Sequence, residues 1–212
     1  MKKISDSTIS RLSTYFRTLS TLIENNVDTV SSDEIADINS ITSAQVRKDL
    51  SFFGTFGKRG LGYNTKDLRD EIGAILGLKK KWKIALAGVG NIGKALINFK
   101  EFRTQGFHFT ALFDIDPNKI GTEVSGLKVH SIDDVCNVIK KNEIEIVIVA
   151  VPTKMAQDVV DVFVKCGVRA FLNFAQVTIK VPDNVLVKNE NMSIELEALS
   201  YYSPFLSDLL TS

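Results

Sequence analysis

Residues 83–93, Lys-Ile-Ala-Leu-Ala-Gly-Val-Gly-Asn-Ile-Gly, decide the fold of the larger part of this 212-residue chain. Lys83 to Ala87 is short, apolar and free of helix signals, which predicts a strand, and Asn91 to Thr104 reads as a helix. Between them the glycines stand at G-x-G-x-x-G spacing, and each has its own task. Gly88 permits the tight turn, Gly90 lets a pyrophosphate approach the backbone, and Gly93 lets the helix pack closely on the sheet. With Val89, Asn91 and Ile92 they form a candidate phosphate cradle, served by the free N–H donors of a helix N-terminus. The next predicted strand, Phe109 to Phe113, ends at Asp114. A carboxylate there can accept from both hydroxyls of an adenosine ribose and would repel a 2′-phosphate, so NADH and NAD+ are favoured over their phosphorylated forms.

Outward from this turn the grammar stays α/β. Ser131 and Asp134 cap a helix that runs to about Lys140. Ile144 to Val151 has no polar face, as suits a strand buried on both sides of a parallel sheet, and Pro152 stops it. Ligands of such sheets lie beyond the carboxyl ends of the strands, which adds Ala150, Val151 and Pro152 to the candidate site. A helix from about Lys154 to Lys165 follows, then strands at Arg169 to Phe174 and Val185 to Lys188. The last helix spans about 194–203, with Ile194, Ala198, Leu199 and Tyr202 as an apolar stripe that must find a surface. Residues 81–212 thus read as a Rossmann domain, a doubly wound parallel sheet with one terminal helix to spare.

Residues 1–80 read differently. Ile9, Leu12, Phe16, Leu19 and Ile23 recur at helical spacing. Ser31 with Glu34 and Thr42 with Gln45 make two capping boxes, one for a short helix through Ile38 and one for a third helix to about Phe52, with a tight turn at Asn39 and Ser40 between. Phe53 to Phe56 and Leu61 to Tyr63 flank Gly57-Lys58-Arg59-Gly60, the pattern of a hairpin with a cationic tip. A fourth helix turns Leu68, Ile72, Ile75 and Leu76 inward. This is the order of a winged-helix DNA-binding domain.

On the third helix Val46, Leu50 and Phe53 share one side, while Ala44, Arg47, Lys48 and Ser51 spread over the other. Arg47 can fork onto guanine O6 and N7, Lys48 can reach a base edge or a phosphate, and Ser51 can bond phosphate. Lys58, Arg59 and Gly60 suit a thin wing entering a minor groove. Although 26 Lys and Arg against 25 Asp and Glu give a net charge of only +1, the stretch from Ile41 to Lys66 carries five cations and Asp49 alone.

Other classes are less favoured. No uncharged run approaches the roughly 18 residues of a membrane span, and the N-terminal MKKISDSTISRL has no apolar core of a signal peptide, so a cytoplasmic protein is expected. Cys136 and Cys166 have no metal-ligand or CxxC spacing and read as reduced core residues; no metal is expected. An NAD-dependent oxidoreductase needs a proton donor or acceptor and a substrate domain, yet His108 falls on the approach to the second strand and His130 near a following connection, and only about twenty residues follow the sheet. A nucleotide-binding regulator with another ligand, such as coenzyme A, remains as an alternative, and Asp114 favours a ribose with free hydroxyls.

Over nearly its full length the sequence resembles the Rex family of redox-sensing transcriptional repressors. The resemblance rests on SRLSTYFRTL, TSAQVRKDLSFFGTFGKRGLGYN, GVGNIGKAL, FDIDPNKIG, RAFLNFAQV and SIELEALSYY. It implies a non-enzymatic repressor, a homodimer with the last helix swapped between subunits, inverted-repeat operators in double-stranded DNA, release by NADH and competition by NAD+. It also implies that Arg11, Arg47, Lys48 and the wing contact DNA. Three positions depart from the family pattern: Phe99 stands for a tyrosine, Asn191 for an aspartate expected to pair with Arg17, and Met192 for a frequent aromatic. The oxidised nicotinamide carries a positive charge that the reduced ring lacks. A pocket built from Phe99 and from Met192 of the partner subunit would therefore favour NADH by desolvation.

Overall fold

The structure, a computed structural model, describes residues 4–57 and 61–209, with side chains described as far as Ser203. The chain folds as two units, Met1–Lys80 and Lys81–Ser212.

In the first unit, α1 (Asp6–Glu24) starts at Ser5, whose hydroxyl accepts from the Thr8 N–H. Its buried face is Thr8, Leu12, Tyr15 and Leu19. The expected stripe is thus rotated toward Tyr15, and Ile9 is left exposed, because the Tyr15 hydroxyl finds a buried acceptor in Asp49 at 2.9 Å. Strand β1 (Thr29–Val30) leads into α2 (Ser32–Ile38), where both bonds of the Ser31/Glu34 capping box are present. The turn to α3 (Ser43–Ser51) puts Ser40 at φ 53°. Thr42 accepts from the Gln45 N–H, but the second half of that expected capping box is missing. The Gln45 side chain turns instead to Asp49, 2.8 Å away.

The hairpin is built from other partners than the sequence suggests. Strand β2 (Tyr63–Asn64) pairs antiparallel with β1, not with Phe53 to Phe56. Gly54 and Gly57 take positive φ and interrupt extension, and Phe53 and Phe56 pack on the helical core as anchors. A Cβ on Gly57 would collide with the Gly62 carbonyl, so glycine is required at that position. Lys58, Arg59 and Gly60 lie outside the described residues. Helix α4 (Thr65–Ile75) completes the core with Leu68 and Ile72.

In the second unit seven strands run in the order β5-β6-β4-β3-β7-β8-β9: β3 (Trp82–Ala87), β4 (Phe107–Asp114), β5 (Glu123–Val124), β6 (Leu127–Ser131), β7 (Ile146–Val149), β8 (Ala170–Asn173) and β9 (Leu186–Asn189). All pairings are parallel except β5 with β6. Along the strands, Ala85, Ala87, Phe113, Val147 and Val149 belong to one core and Ile84, Leu86, Leu112 and Ile148 to another. This alternation buries both faces of the sheet and accounts for strands without a polar side.

Two elements differ from expectation. The β5–β6 hairpin was not anticipated, although Ser125-Gly126, both at positive φ, is a two-residue turn of the hairpin kind. The single helix expected from Asn91 to Thr104 is two, α5 (Asn91–Ile97) and α6 (Lys100–Thr104). Asn98 breaks it by turning its amide back to the Lys94 carbonyl, and Phe99 is extended at ψ 100°.

On one face of the sheet lie α7 (Val135–Asn142) and α8 (Ala156–Lys165), which supply Val138, Ile139, Val159, Val160 and Phe163 to its core. Cys136 and Cys166 are joined by a disulfide, with Cα atoms 4.8 Å apart, which corrects the expectation of reduced cysteines. Helix packing brings together residues 30 positions apart, something spacing along the chain cannot show. The last helix, α9 (Met192–Leu209), is longer than the expected 194–203, and Met192, Ile194, Leu196, Leu199, Tyr201 and Tyr202 are all exposed on it. None of the helices among the described residues is long and apolar enough to cross a membrane.

Candidate functional site

The outward face of α3 is as the helical wheel requires. Ala44, Arg47, Lys48 and Ser51 are exposed, Val46 and Leu50 are buried, and Phe53 is half-buried. Arg47 donates from Nη1 to the Ser32 hydroxyl at 2.8 Å, tying it to α2, and Ser51 donates to the Lys48 carbonyl at 2.7 Å. Arg11 is engaged differently. Its Nε and Nη2 fork onto the two oxygens of Asp49, at 2.6 and 2.7 Å. Asp49 is 0 % exposed and also accepts from Tyr15 and Gln45. Burial pushes its carboxyl pKa up, but the bonds from Arg11, Tyr15 and Gln45 outweigh that and hold it below the ordinary value. The hub fixes α3 to α1 through a fully used carboxylate. The sequence gives one signal for it, an acidic residue alone in a basic stretch, but not its burial.

The second site lies at the carboxyl ends of β3, β4 and β7. A cavity of about 310 Å³ is lined by Ala87, Gly88, Gly90, Asp114, Ala150, Val151 and Pro152 among others. The three motif glycines separate on physical grounds. Gly88 has φ 98°, and a Cβ on it would strike the Ala150 carbonyl. A Cβ on Gly93 would strike the Gly88 carbonyl and lie 3.0 Å from Leu86. Gly90 has an ordinary φ of −87°, and among the described residues no non-neighbouring atom lies within 4 Å of its missing Cβ. Neither backbone nor packing requires glycine there, whereas a phosphate group lying on the turn would.

Asp114 is 9 % exposed and anchors the turn: one oxygen accepts from the Val89 N–H at 2.8 Å, the other from the Asp116 N–H at 3.0 Å. Lys119 donates to it as well, at 3.0 Å. Burial pushes its pKa up, but these bonds outweigh that and hold it below the ordinary carboxylate value. Asn91 and Ile92 are exposed at the start of α5. Phe99, 50 % exposed, lines a separate cavity with Phe102, His108 and Phe109, and Met192 is 67 % exposed on α9; within one chain neither lines the glycine-turn cavity. Neither His108 nor His130 lines that cavity either. Among the described residues no cluster of three His, Cys, Asp or Glu side chains is placed to hold a metal ion.

A helix-turn-helix unit followed by a Rossmann unit with a ligand-shaped glycine turn defines a transcription regulator that responds to a nucleotide. The comparisons agree. Residues 3–51 match the family described as "Putative DNA-binding protein N-terminus" and residues 79–177 the "CoA binding domain". The redox-sensing transcriptional repressor Rex of Pelotomaculum thermopropionicum is 47 % identical over 94 % of this chain and 93 % of its own. That of Desulforamulus reducens is 44 % identical over 94 % and 95 %. The Rex-family repressor RSP, in its crystal complex with β-NAD+ and operator DNA, has a TM-score of 0.91 at 35 % identity, covering 100 % of this chain and 98 % of that one. RSP has also been solved with β-NADH, at a TM-score of 0.88. The chain belongs to the Rex family of redox-sensing transcriptional repressors. It is a repressor and not an oxidoreductase.

Proposed function

We propose that this repressor holds an inverted-repeat operator in double-stranded DNA as a homodimer and releases it when NADH binds the second unit, with NAD+ competing for the same cleft. The observation that carries the reading is Gly90, a glycine that the fold does not need, in the lining of a cleft that Asp114 also lines. The two RSP complexes, one with operator DNA and β-NAD+ and one with β-NADH, support the same assignment. Arg47, Lys48 and Ser51 read or follow the major groove from the exposed face of α3, and Lys58, Arg59 and Gly60 approach the minor groove. Arg11 keeps N–H groups beyond the two spent on Asp49 and the one donated to the Thr8 hydroxyl, and these serve a phosphate.

In the cleft, the pyrophosphate lies on Gly88 to Gly93 and the adenosine ribose at Asp114, with Ala150, Val151 and Pro152 along the other wall. Phe99 and Met192 of the partner subunit face the nicotinamide ring, where an apolar wall penalises the charged, oxidised form. The exposed apolar residues of α9 support the swapped dimer, since such a surface is unfavourable in water. The site of action is then the cytoplasm, where the operator is. NADH and operator must weaken each other's binding by one common factor.

The test is anisotropy of a labelled inverted-repeat operator, selected by this protein from a random pool, titrated with NADH and with NAD+. Release by NADH at far lower concentration than by NAD+ is the expected result. Firm DNA binding that neither nucleotide alters would overturn the redox reading.

A further inference from the structure

One covalent bond joins two helices of the second unit that already share a core. Cys136 lies in the first turn of α7 and Cys166 directly follows α8, their Cα atoms 4.8 Å apart. Val138 and Ile139 of α7 and Val159, Val160 and Phe163 of α8 are buried in one hydrophobic cluster, so folding does not hang on the bond. Cys136 is exposed and Cys166 is half-buried against that cluster, which leaves one sulfur open to attack by a thiolate. In a repressor that acts in the cytoplasm, where thiols reduce accessible bonds, such a disulfide is of the transient, sensing kind.

Both helices also carry part of the cleft wall. Ile132 lines the cavity from the turn 132–134 that leads into α7, four positions before Cys136. Met155 and Val159 line it from the start of α8. Other bonds hold the start of α7 weakly: Asp134 makes no side-chain capping bond, and the Ser131 hydroxyl serves the Asp133 N–H of the preceding turn. We propose that Cys136 and Cys166 form a reversible thiol-modification site, a second redox input that sets how tightly the cleft holds its dinucleotide. The closed disulfide fixes the Ile132 wall before the ligand arrives, whereas the open dithiol leaves that wall to be ordered on binding. This rests on the dinucleotide reading of the cleft.

The step balances as thiol–disulfide exchange. A thiolate of a dithiol reductant attacks the exposed Cys136 sulfur, the S–S bond breaks, and Cys166 leaves as a thiolate that takes up a proton. The second thiol of the reductant then attacks the mixed disulfide and releases Cys136. Two electrons have passed to the protein and the reductant ends as a disulfide; a low-molecular-weight disulfide runs the steps backwards. Ile132 shares the cavity with Asp114, so the effect falls on the adenosine end, which NADH and NAD+ have in common. Reduction therefore weakens both by one factor.

The experiment is calorimetric titration of the full chain with NADH and with NAD+ in three forms: oxidised with glutathione disulfide, reduced with dithiothreitol, and the double variant Cys136→Ser, Cys166→Ser. Alkylation followed by mass measurement counts the free thiols, and circular dichroism follows folding. Reduction should raise both Kd values by about fivefold, the equivalent of one or two side chains left to be ordered, with the NADH-to-NAD+ ratio unchanged. The double variant should match the reduced parent with or without dithiothreitol. Kd values equal within about twofold in the oxidised and reduced parent would overturn the proposal. So would thiols that stay alkylatable after oxidation, a reduced chain that unfolds, a shifted NADH-to-NAD+ ratio, or a double variant that binds like the oxidised parent or still answers to reductant. If the double variant does not fold, the oxidised and reduced parent decide by themselves. A parent that binds neither nucleotide in either form would overturn the dinucleotide reading, and this inference with it.

Discussion

Replacing Asp49 with alanine should nearly unfold the first unit while leaving the second intact. Asp49 is fully buried, and four donor bonds of 2.6 to 2.9 Å converge on it from Arg11, Tyr15 and Gln45. Removing one partner of such a buried, hydrogen-bonded pair costs about 3–5 kcal/mol, because the guanidinium and the phenol are left without an acceptor. A unit of this size has about 4–12 kcal/mol to lose. Urea unfolding distinguishes the two units. Trp82, the single tryptophan, sits in β3 and reports the second unit, whereas helical circular dichroism reports both units, so the helical transition that Trp82 does not share is that of the first. The helical transition should move to much lower urea in Asp49→Ala, the Trp82 transition should not, and operator binding should weaken because α3 loses its fixed seat. Acid has the same sign. The folded-state pKa of Asp49 is depressed, so its stabilisation is complete above the unfolded value near 3.8 and disappears as the pH falls through the lower folded value. An Asp49→Ala chain within about 0.5 kcal/mol of the parent would refute the hub.

Gly90→Ala should leave stability unchanged or raise it by up to about 1 kcal/mol while NADH affinity falls at least tenfold. Gly93→Ala should cost about 3 kcal/mol, since the Gly88 carbonyl it meets is backbone and cannot turn aside; equal thermal shifts in both would contradict the division of labour. Opening the Cys136–Cys166 disulfide with a reductant should lower stability by about 3–4 kcal/mol for a 30-residue separation, and an unfolding curve indifferent to reductant would speak against the bond. Arg47→Ala should weaken specific operator binding much more than nonspecific binding, and equal losses would remove direct base readout. A chain ending before Ile194 should sediment as a monomer; an unchanged dimer would exclude α9 as its basis.

Local pattern was enough for the class of fold. The α/β alternation, the turn at Gly88 to Gly93, the acid closing β4 and the outward face of α3 follow from periods of two and 3.6 residues and from glycine's lack of a side chain. Those are properties of neighbours in the chain, and the sequence carries them openly. Even the missed β5–β6 hairpin had its signal in Ser125-Gly126. Pairings between distant residues were decided elsewhere. That β2 takes β1 as partner, that Cys136 meets Cys166, that Tyr15 displaces Ile9 from the core and that Gln45 abandons its cap for Asp49 all depend on which surfaces packing brings within about 3–5 Å. Asp114 joins the two kinds: its position at a strand end was legible, and the Asp116 N–H and Lys119 that bond it follow in the same turn, but the Val89 N–H reaches it from the glycine turn only in the folded chain.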